Sequence, residues 1–230
     1  MALSAALSHF GRPAQSRRLS ALWRDSEGAT MIEYAFVGPP FIALVLACLH
    51  TALVYLAQEG LETTAESAAR LLLTGQAQTL QTYSGSTVTT GMTAAQFKQA
   101  ICGTLTYKAS ATATGTTAFG GTMLPPFLTC DRLTVNVTVS SSYATASTGA
   151  PTFTYNSSGT LTSTGTGYTT TTGGNGQNLI QVVQLIYLWP TVTGPLGFSL
   201  VNQTGGNRML VATQVLSTES YLCPTGITSC

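Results

Sequence analysis

The most constraining feature of the sequence is a run without charged side chains, from Tyr34 to Gln58. At about 1.5 Å per helical residue, a run of this length is enough to cross a hydrocarbon core of about 30 Å. It contains Pro39 and Pro40, which would break most helices in water. In a membrane they are tolerated as a kink, because neighbouring groups can satisfy the freed carbonyls. The sequence therefore predicts one membrane-spanning helix near the N-terminus.

The charged residues that flank this run indicate its orientation. Basic residues precede it and mostly acidic residues follow it directly: Arg12, Arg17, Arg18 and Arg24 before, and Glu59, Glu62, Glu66 and Arg70 after. The positive-inside rule then places the N-terminus in the cytoplasm and the rest of the chain outside. Charged residues make up only 7% of the chain and the net charge is +1. We therefore expect no nucleic-acid partner and an exported, membrane-attached domain.

Beyond the membrane the helix is predicted to continue and then to stop. Apolar residues recur at helical spacing on one face, Glu66 and Arg70 form an i,i+4 pair, and Gly75 is a suitable stop. The apolar residues on that face are Leu61, Ala65, Ala68 and Leu72. A second, short helix is predicted after Thr93, which is a suitable N-cap.

Three strand-like runs follow, and they indicate a small antiparallel sheet packed on the helix. Their sequences are DRLTVNVTVSS, NLIQVVQLIYLWP and NRMLVATQVLS. Between the first two, residues 140–178 form a low-complexity insertion rich in Thr, Ser, Gly and Tyr, predicted as a long excursion off the sheet. Residues 109–122 look like a shorter version of it. The predicted fold class is α+β.

The chain has five cysteines, of which Cys48 lies in the apolar run and is interpreted as a small apolar filler. The other four lie in the part that is predicted to be exported, where disulfides form. Four cysteines allow three connectivities. Local loop closure favours Cys102–Cys130 and Cys223–Cys230. Without a CxxC motif or a histidine partner, no metal site and no cofactor are predicted.

The start of the apolar run carries a recognisable motif. Gly28 is followed by four residues, then by Glu33, Tyr34 and the apolar helix. This arrangement resembles the processing site of type IVb pilins of the tight-adherence (Tad) system. The resemblance implies that a membrane-embedded prepilin peptidase cuts between Gly28 and Ala29. It also implies that Glu33 pairs with the new α-amino group of a neighbouring subunit, while Tyr34 is a candidate for peptidase recognition.

Three blocks, the first of which contains this motif, extend the resemblance to TadE-like and TadF-like proteins, between which the sequence does not decide. They are SEGATMIEYAFVGPPFIALVL, AAQFKQAICGTL with LTCDRLTVNV, and VVQLIYLWPTVTGPLGFSLVNQTGGNRMLVATQVLSTESY. The resemblance implies a minor pseudopilin needed to assemble adhesive pili, single-pass in a bacterial inner membrane. Residues 1–28 would be a cytoplasmic leader, 29–75 the membrane and periplasmic helix, and 76–230 a periplasmic domain. Whether the subunit enters the extracellular filament stays open.

The implied partners are the prepilin peptidase, other Tad pilins and pseudopilins, the assembly platform in the inner membrane, and membrane lipid. Two other interpretations remain. In one, a Sec-exported binding domain is cut after Ala57; in the other, a single-pass membrane-anchored domain is never cut. A signal-peptide cleavage site has a small residue, any residue and a small residue before the cut. In Tyr55-Leu56-Ala57 the first of these is Tyr55, which is large, so the predicted site is weak. No Ser-His-Asp set or pair of catalytic acids is evident, so an enzyme is not expected.

Overall fold

A computed structural model describes residues 26–157, 161–170, 179–191, 194 and 197–219. The fold is α+β, as predicted: a long N-terminal helix precedes small antiparallel sheets. By its contacts the chain divides into two units, Met1–Cys48 and Leu49–Cys230. The helices are α1 (Ser26–Leu73), α2 (Gln76–Thr79) and α3 (Ala94–Ile101). The strands are β1 (Gln81–Ser84), β2 (Thr87–Thr90), β3 (Thr106–Tyr107), β4 (Thr117–Ala118), β5 (Leu133–Ser140), β6 (Thr154–Tyr155), β7 (Leu161–Ser163), β8 (Ile180–Pro190) and β9 (Asn207–Ser217).

The part of α1 in the first unit presents large apolar side chains outward. Met31, Phe36 and Phe41 are 80%, 77% and 64% exposed. In the part of the chain that the structure describes, one helix, Thr30–Leu73, is long and apolar enough to cross a membrane. Only 17% of its apolar window is buried, unlike the core helix of a soluble protein. The helix continues through Pro39 and Pro40. It therefore fits a single-pass membrane anchor.

In the second unit, α1 becomes the main helix of the core. The predicted apolar face is confirmed, because Leu61, Ala65, Ala68 and Leu72 are all fully buried. The exposed Glu66–Arg70 pair is present at 2.9 Å, a contact of modest energetic value in water. The helix ends at Leu73 and Gly75 follows with φ of 74°, a left-handed conformation that favours glycine.

The three predicted long strands pair in one antiparallel sheet with the order β5-β8-β9. The central strand, β8, is buried along most of its length. Val183, Leu185 and Tyr187 point into the core cluster that also contains the buried face of α1. Most of β8 is apolar, as expected of a central strand that is covered on both faces. Gln181 and Gln184 are the exceptions: both are buried, and their amides donate to Thr170 O and Thr148 O.

The second helix also forms as predicted. Thr93 caps α3: its side chain accepts from the Gln96 backbone N–H at 3.3 Å, and the Gln96 side chain accepts from the Thr93 N–H at 2.9 Å. This reciprocal capping box satisfies two backbone donors that a helix start leaves free. The helix buries Phe97, Ala100 and Ile101 in the core.

The insertion differs from its prediction, because part of it returns to the sheet. Tyr168 forms a parallel bridge with Val137: the Val137 N–H donates to Gly167 O at 2.9 Å and the Thr169 N–H donates to Val137 O at 2.8 Å. The Tyr168 ring packs against Phe97 with centroids 5.5 Å apart. Phe153 is also buried. The stretch is polar overall, but these few aromatic side chains attach it to the core.

Replacing Tyr168 tests this attachment. Its hydroxyl is buried without a hydrogen-bond partner among the described residues, and burial raises the pKa of Tyr168 well above its usual range. Tyr168→Phe should therefore leave the free energy of unfolding unchanged or raise it by about 1 kcal/mol. Tyr168→Ala should lower it by about 2 kcal/mol or more, because the contact with Phe97 is lost. Denaturant unfolding of the purified chain measures both.

The pH dependence of stability supplies the control. A buried phenol whose pKa is raised stabilises the fold below about pH 10, and this stabilisation declines as the pH rises and the unfolded chain deprotonates. Tyr168→Phe should reduce the loss of stability above that pH. An unchanged alkaline profile, together with a Tyr168→Ala variant as stable as the parent, would mean that the insertion does not pack on the core.

Candidate functional site

The predicted processing segment lies at the start of α1. The helix begins at Ser26, so Gly28 and Ala29 belong to its first turn. The N–H groups of a first helical turn have no intrahelical partner, and this turn is the easiest to open. A peptidase that needs an extended substrate backbone at Gly28 would disrupt few hydrogen bonds. The structure leaves the cleavage prediction itself untested.

Glu33 and Tyr34 follow one turn later, with different surroundings. Tyr34 is 72% exposed, and its ring lies across Gly38, where an added Cβ would come within 3.4 Å of the ring. The Glu33 side chain is exposed. Among the described residues it has no hydrogen bond and no salt bridge. The contact between Tyr34 and Gly38 was not predicted, although an aromatic residue four positions before a glycine was visible in the sequence.

The predicted Cys102–Cys130 disulfide is present, with Cα atoms 5.9 Å apart. Cys102 directly follows α3, and Cys130 begins the 3-10 turn Cys130–Arg132 that leads into β5. The bond therefore links the end of α3 to the start of the sheet. Cys48 is a free and exposed thiol in the first unit, so among the described residues it fills no space in a core. The predicted Cys223–Cys230 pair lies outside the described residues.

Hydrogen bonds next to the disulfide hold the same junction. The Tyr187 hydroxyl accepts from the Thr129 backbone N–H at 3.1 Å and lies 3.2 Å from the Thr129 hydroxyl. Tyr187 belongs to β8 and is 2% exposed, so this contact ties the buried central strand to the disulfide loop. These contacts connect α3, the disulfide loop and β8 within the second unit. Within the described ranges, no three potential ligand side chains come together to hold a metal ion.

A comparison with protein families identifies the N-terminal part. Residues 28–70 match the family described as TadE-like protein. This segment of the chain is TadE-like. The match begins at Gly28 and ends at Arg70, and so it covers the processing segment, the charge-free run and most of the buried helical face. Searches of curated proteins and of solved structures gave no match.

The match confirms the resemblance of this segment to the Tad system and supports an association of the protein with Tad pili. It concerns the helix alone, whereas the disulfide and the sheet lie outside it. The α+β domain therefore has to be interpreted from its own geometry.

Loss of the disulfide should destabilise that domain strongly. The bond joins residues 28 positions apart, and constraint of the unfolded chain by such a loop is worth about 3–4 kcal/mol. Cys102→Ala with Cys130→Ala should lower the free energy of unfolding by that order. Cys48→Ala is the matched control and should have almost no effect, because this thiol is exposed and unpaired. Unfolding with and without reductant measures both, and equal stability in the two conditions would contradict the structural role of the bond.

Proposed function

We propose that this chain is a TadE-like minor pseudopilin that assists assembly of adhesive Tad (type IVb) pili. The observation that carries the proposal is the family match, which starts at Gly28 and includes Glu33 and Tyr34. Prepilin peptidase would cut between Gly28 and Ala29, and the mature chain would begin Ala-Thr-Met-Ile-Glu-Tyr. Its action is by packing against other subunits and is not catalytic.

The two units suit the two tasks of such a subunit. The exposed apolar helix of the first unit suits a pool of subunits held in the inner membrane until assembly. The disulfide-linked domain of the second unit would then lie in the periplasm, where thiols are oxidised. This domain supplies surfaces for other pilins and for the assembly platform. A major pilin that consists almost entirely of a helix would lack it.

Glu33 is proposed to specify the register of assembly. A carboxylate costs about 2.5–3.5 kcal/mol at the centre of a bilayer and less towards the interface. Glu33 is exposed and lacks a partner among the described residues, so nothing in the described chain offsets that cost. The amino group created at Ala29 of a neighbouring subunit would supply the opposite charge. Ion pairing of this kind forms only when adjacent helices are offset correctly.

The core favours this proposal over a Sec-exported domain. Cleavage after Ala57 would detach Val54 and Ala57, which are 6% and 0% exposed and belong to the hydrophobic core. The helix is also continuous there, whereas a peptidase needs an accessible, extended segment. The uncut membrane-anchored domain remains the alternative, and the N-terminus of the mature protein separates the three cases.

Gly28→Val should block maturation. A small residue is needed where the substrate backbone enters a peptidase site closely, and the branched side chain of Val prevents this approach. The measurement is the N-terminal sequence and intact mass of the protein from membranes that contain its own prepilin peptidase. The matched control is Gly121→Val, at a position where an added Cβ meets nothing within 4 Å. Mature Gly28→Val protein beginning at Ala29 would refute the predicted site.

Glu33→Ala should be cleaved normally and should support fewer pili, because assembly loses an ion pair while the cleavage point is unchanged. Pilus counts by electron microscopy, together with the intact mass of the subunit, measure the two effects separately. Glu59→Ala is the matched control, because it removes an exposed carboxylate from the same helix beyond the charge-free run. It should change neither the cleavage of the subunit nor the number of pili. Equal pilus counts for Glu33→Ala and the parent would eliminate the pairing proposal without affecting the cleavage proposal.

A further inference from the structure

The second unit contains a groove between α1 and β9 that the pseudopilin role does not explain. Its volume is about 340 Å³. Most of the residues that line it are apolar, and one lining side chain, Arg208, is cationic. Arg208 is the second residue of β9. The lining residues used below are Val54, Tyr55, Gln58, Leu200, Arg208 and Leu210.

Arg208 has spare hydrogen-bonding capacity in this groove. One guanidinium nitrogen, Nη1, donates to Leu200 O at 3.3 Å. Nε is buried and Nη2 is not, and within the described ranges neither has a hydrogen-bond partner. Among the described residues no carboxylate lies within 4 Å of Arg208. A partly buried cation without a counter-ion calls for an anion, and a guanidinium matches a phosphate through parallel N–H donors.

The other polar groups near the groove are already engaged. The Gln58 amide donates to Val211 O at 3.0 Å and to Glu62 at 2.9 Å, so this nearby acid is held by Gln58. Val54 is 6% exposed and Leu210 is 4% exposed, and both belong to the core wall. The groove thus combines one unneutralised cation with an apolar surface.

The position of the groove along the sequence identifies its occupant. About 20 helical residues cross the hydrocarbon core. Counted from Tyr34, the first residue of the charge-free run, they end near Leu53. Val54, Tyr55 and Gln58 therefore come at the outer boundary of the membrane, where lipid phosphates lie. Tyr55 is 71% exposed, as expected of an aromatic residue in the interfacial belt.

We propose that this groove binds one anionic phospholipid of the outer leaflet of the inner membrane. Its phosphate pairs with the Arg208 guanidinium, and the upper part of an acyl chain lies against Val54, Leu200 and Leu210. Nη2 of Arg208, which has no hydrogen-bond partner among the described residues and is not buried, supplies the N–H donors. The apolar wall distinguishes a lipid from free phosphate. This proposal rests on membrane anchoring and is independent of cleavage at Gly28 and of any role in pili.

Native mass spectrometry of the full chain, released from detergent after addition of phosphatidylglycerol, tests the proposal. The parent should retain one lipid, and Arg208→Gln should reduce the bound-to-free ratio about tenfold, the loss expected for a charge-assisted hydrogen bond. Arg132→Gln is the matched control, because Arg132 also donates to a backbone carbonyl, Leu188 O, at 3.4 Å, but is exposed outside the groove. It should leave the ratio unchanged. Phosphatidylcholine should bind more weakly than phosphatidylglycerol.

A second variant guards against loss of folding. Thr51→Phe adds an apolar ring to a groove-lining position of α1 without removing a core side chain. It should displace the lipid while the Cys102–Cys130 disulfide and the helix content stay as in the parent. Equal lipid retention by the parent, Arg208→Gln and Thr51→Phe would overturn the proposal. Displacement of the lipid by millimolar inorganic phosphate would indicate a general anion site. A dimer of the parent that is lost in Arg208→Gln would indicate that a second chain occupies the groove. Either result would also overturn the proposal.

Discussion

The structure depends on the packing of one face of α1 against the sheet. Ala57, Ala65 and Ala68 are small enough to bring the helix backbone close to the core, while Leu61 and Leu72 fill the space between them. Gly60 serves the same purpose beside this face, because an added Cβ would lie 2.9 Å from the Phe127 ring. The β5-β8-β9 sheet and α3 contribute side chains to the same core cluster as this face of α1, and Cys102 of the disulfide packs against that cluster.

The same helix must also satisfy a second environment, in which different rules apply. In the charge-free run, large apolar side chains face outward. Pro39 and Pro40 lack the backbone N–H groups that would otherwise donate to the carbonyl oxygens of Ala35 and Phe36. In hydrocarbon, freed carbonyls and the Glu33 carboxylate all require partners. A soluble protein would select against so many exposed large apolar side chains. Their concentration at one end of the helix fits a membrane anchor.

The sequence predicted the elements whose residues follow a simple period or a capping rule. The buried face of α1, the stop at Gly75, the cap at Thr93 and the three long strands were all visible, because local pattern and tertiary burial agree there. The β1–β2 and β3–β4 hairpins and the docking of Tyr168 were not predicted. Thr-rich strands show no apolar alternation, and Tyr168 is positioned by Phe97, which is distant in sequence. The Arg208 groove needed the same long-range information, although this arginine is the only charged residue in β9.

The end of the charge-free run has a second role, in the core of the second unit. Val54 and Ala57 are buried core residues of that unit, although the run extends to Gln58. These apolar side chains are therefore required by the fold of the domain, whatever the run does in a membrane. This explains why the run is longer than the roughly 20 residues that a span needs. Val54 and Tyr55 also line the Arg208 groove, so the same stretch of α1 would serve both the core and a bound lipid.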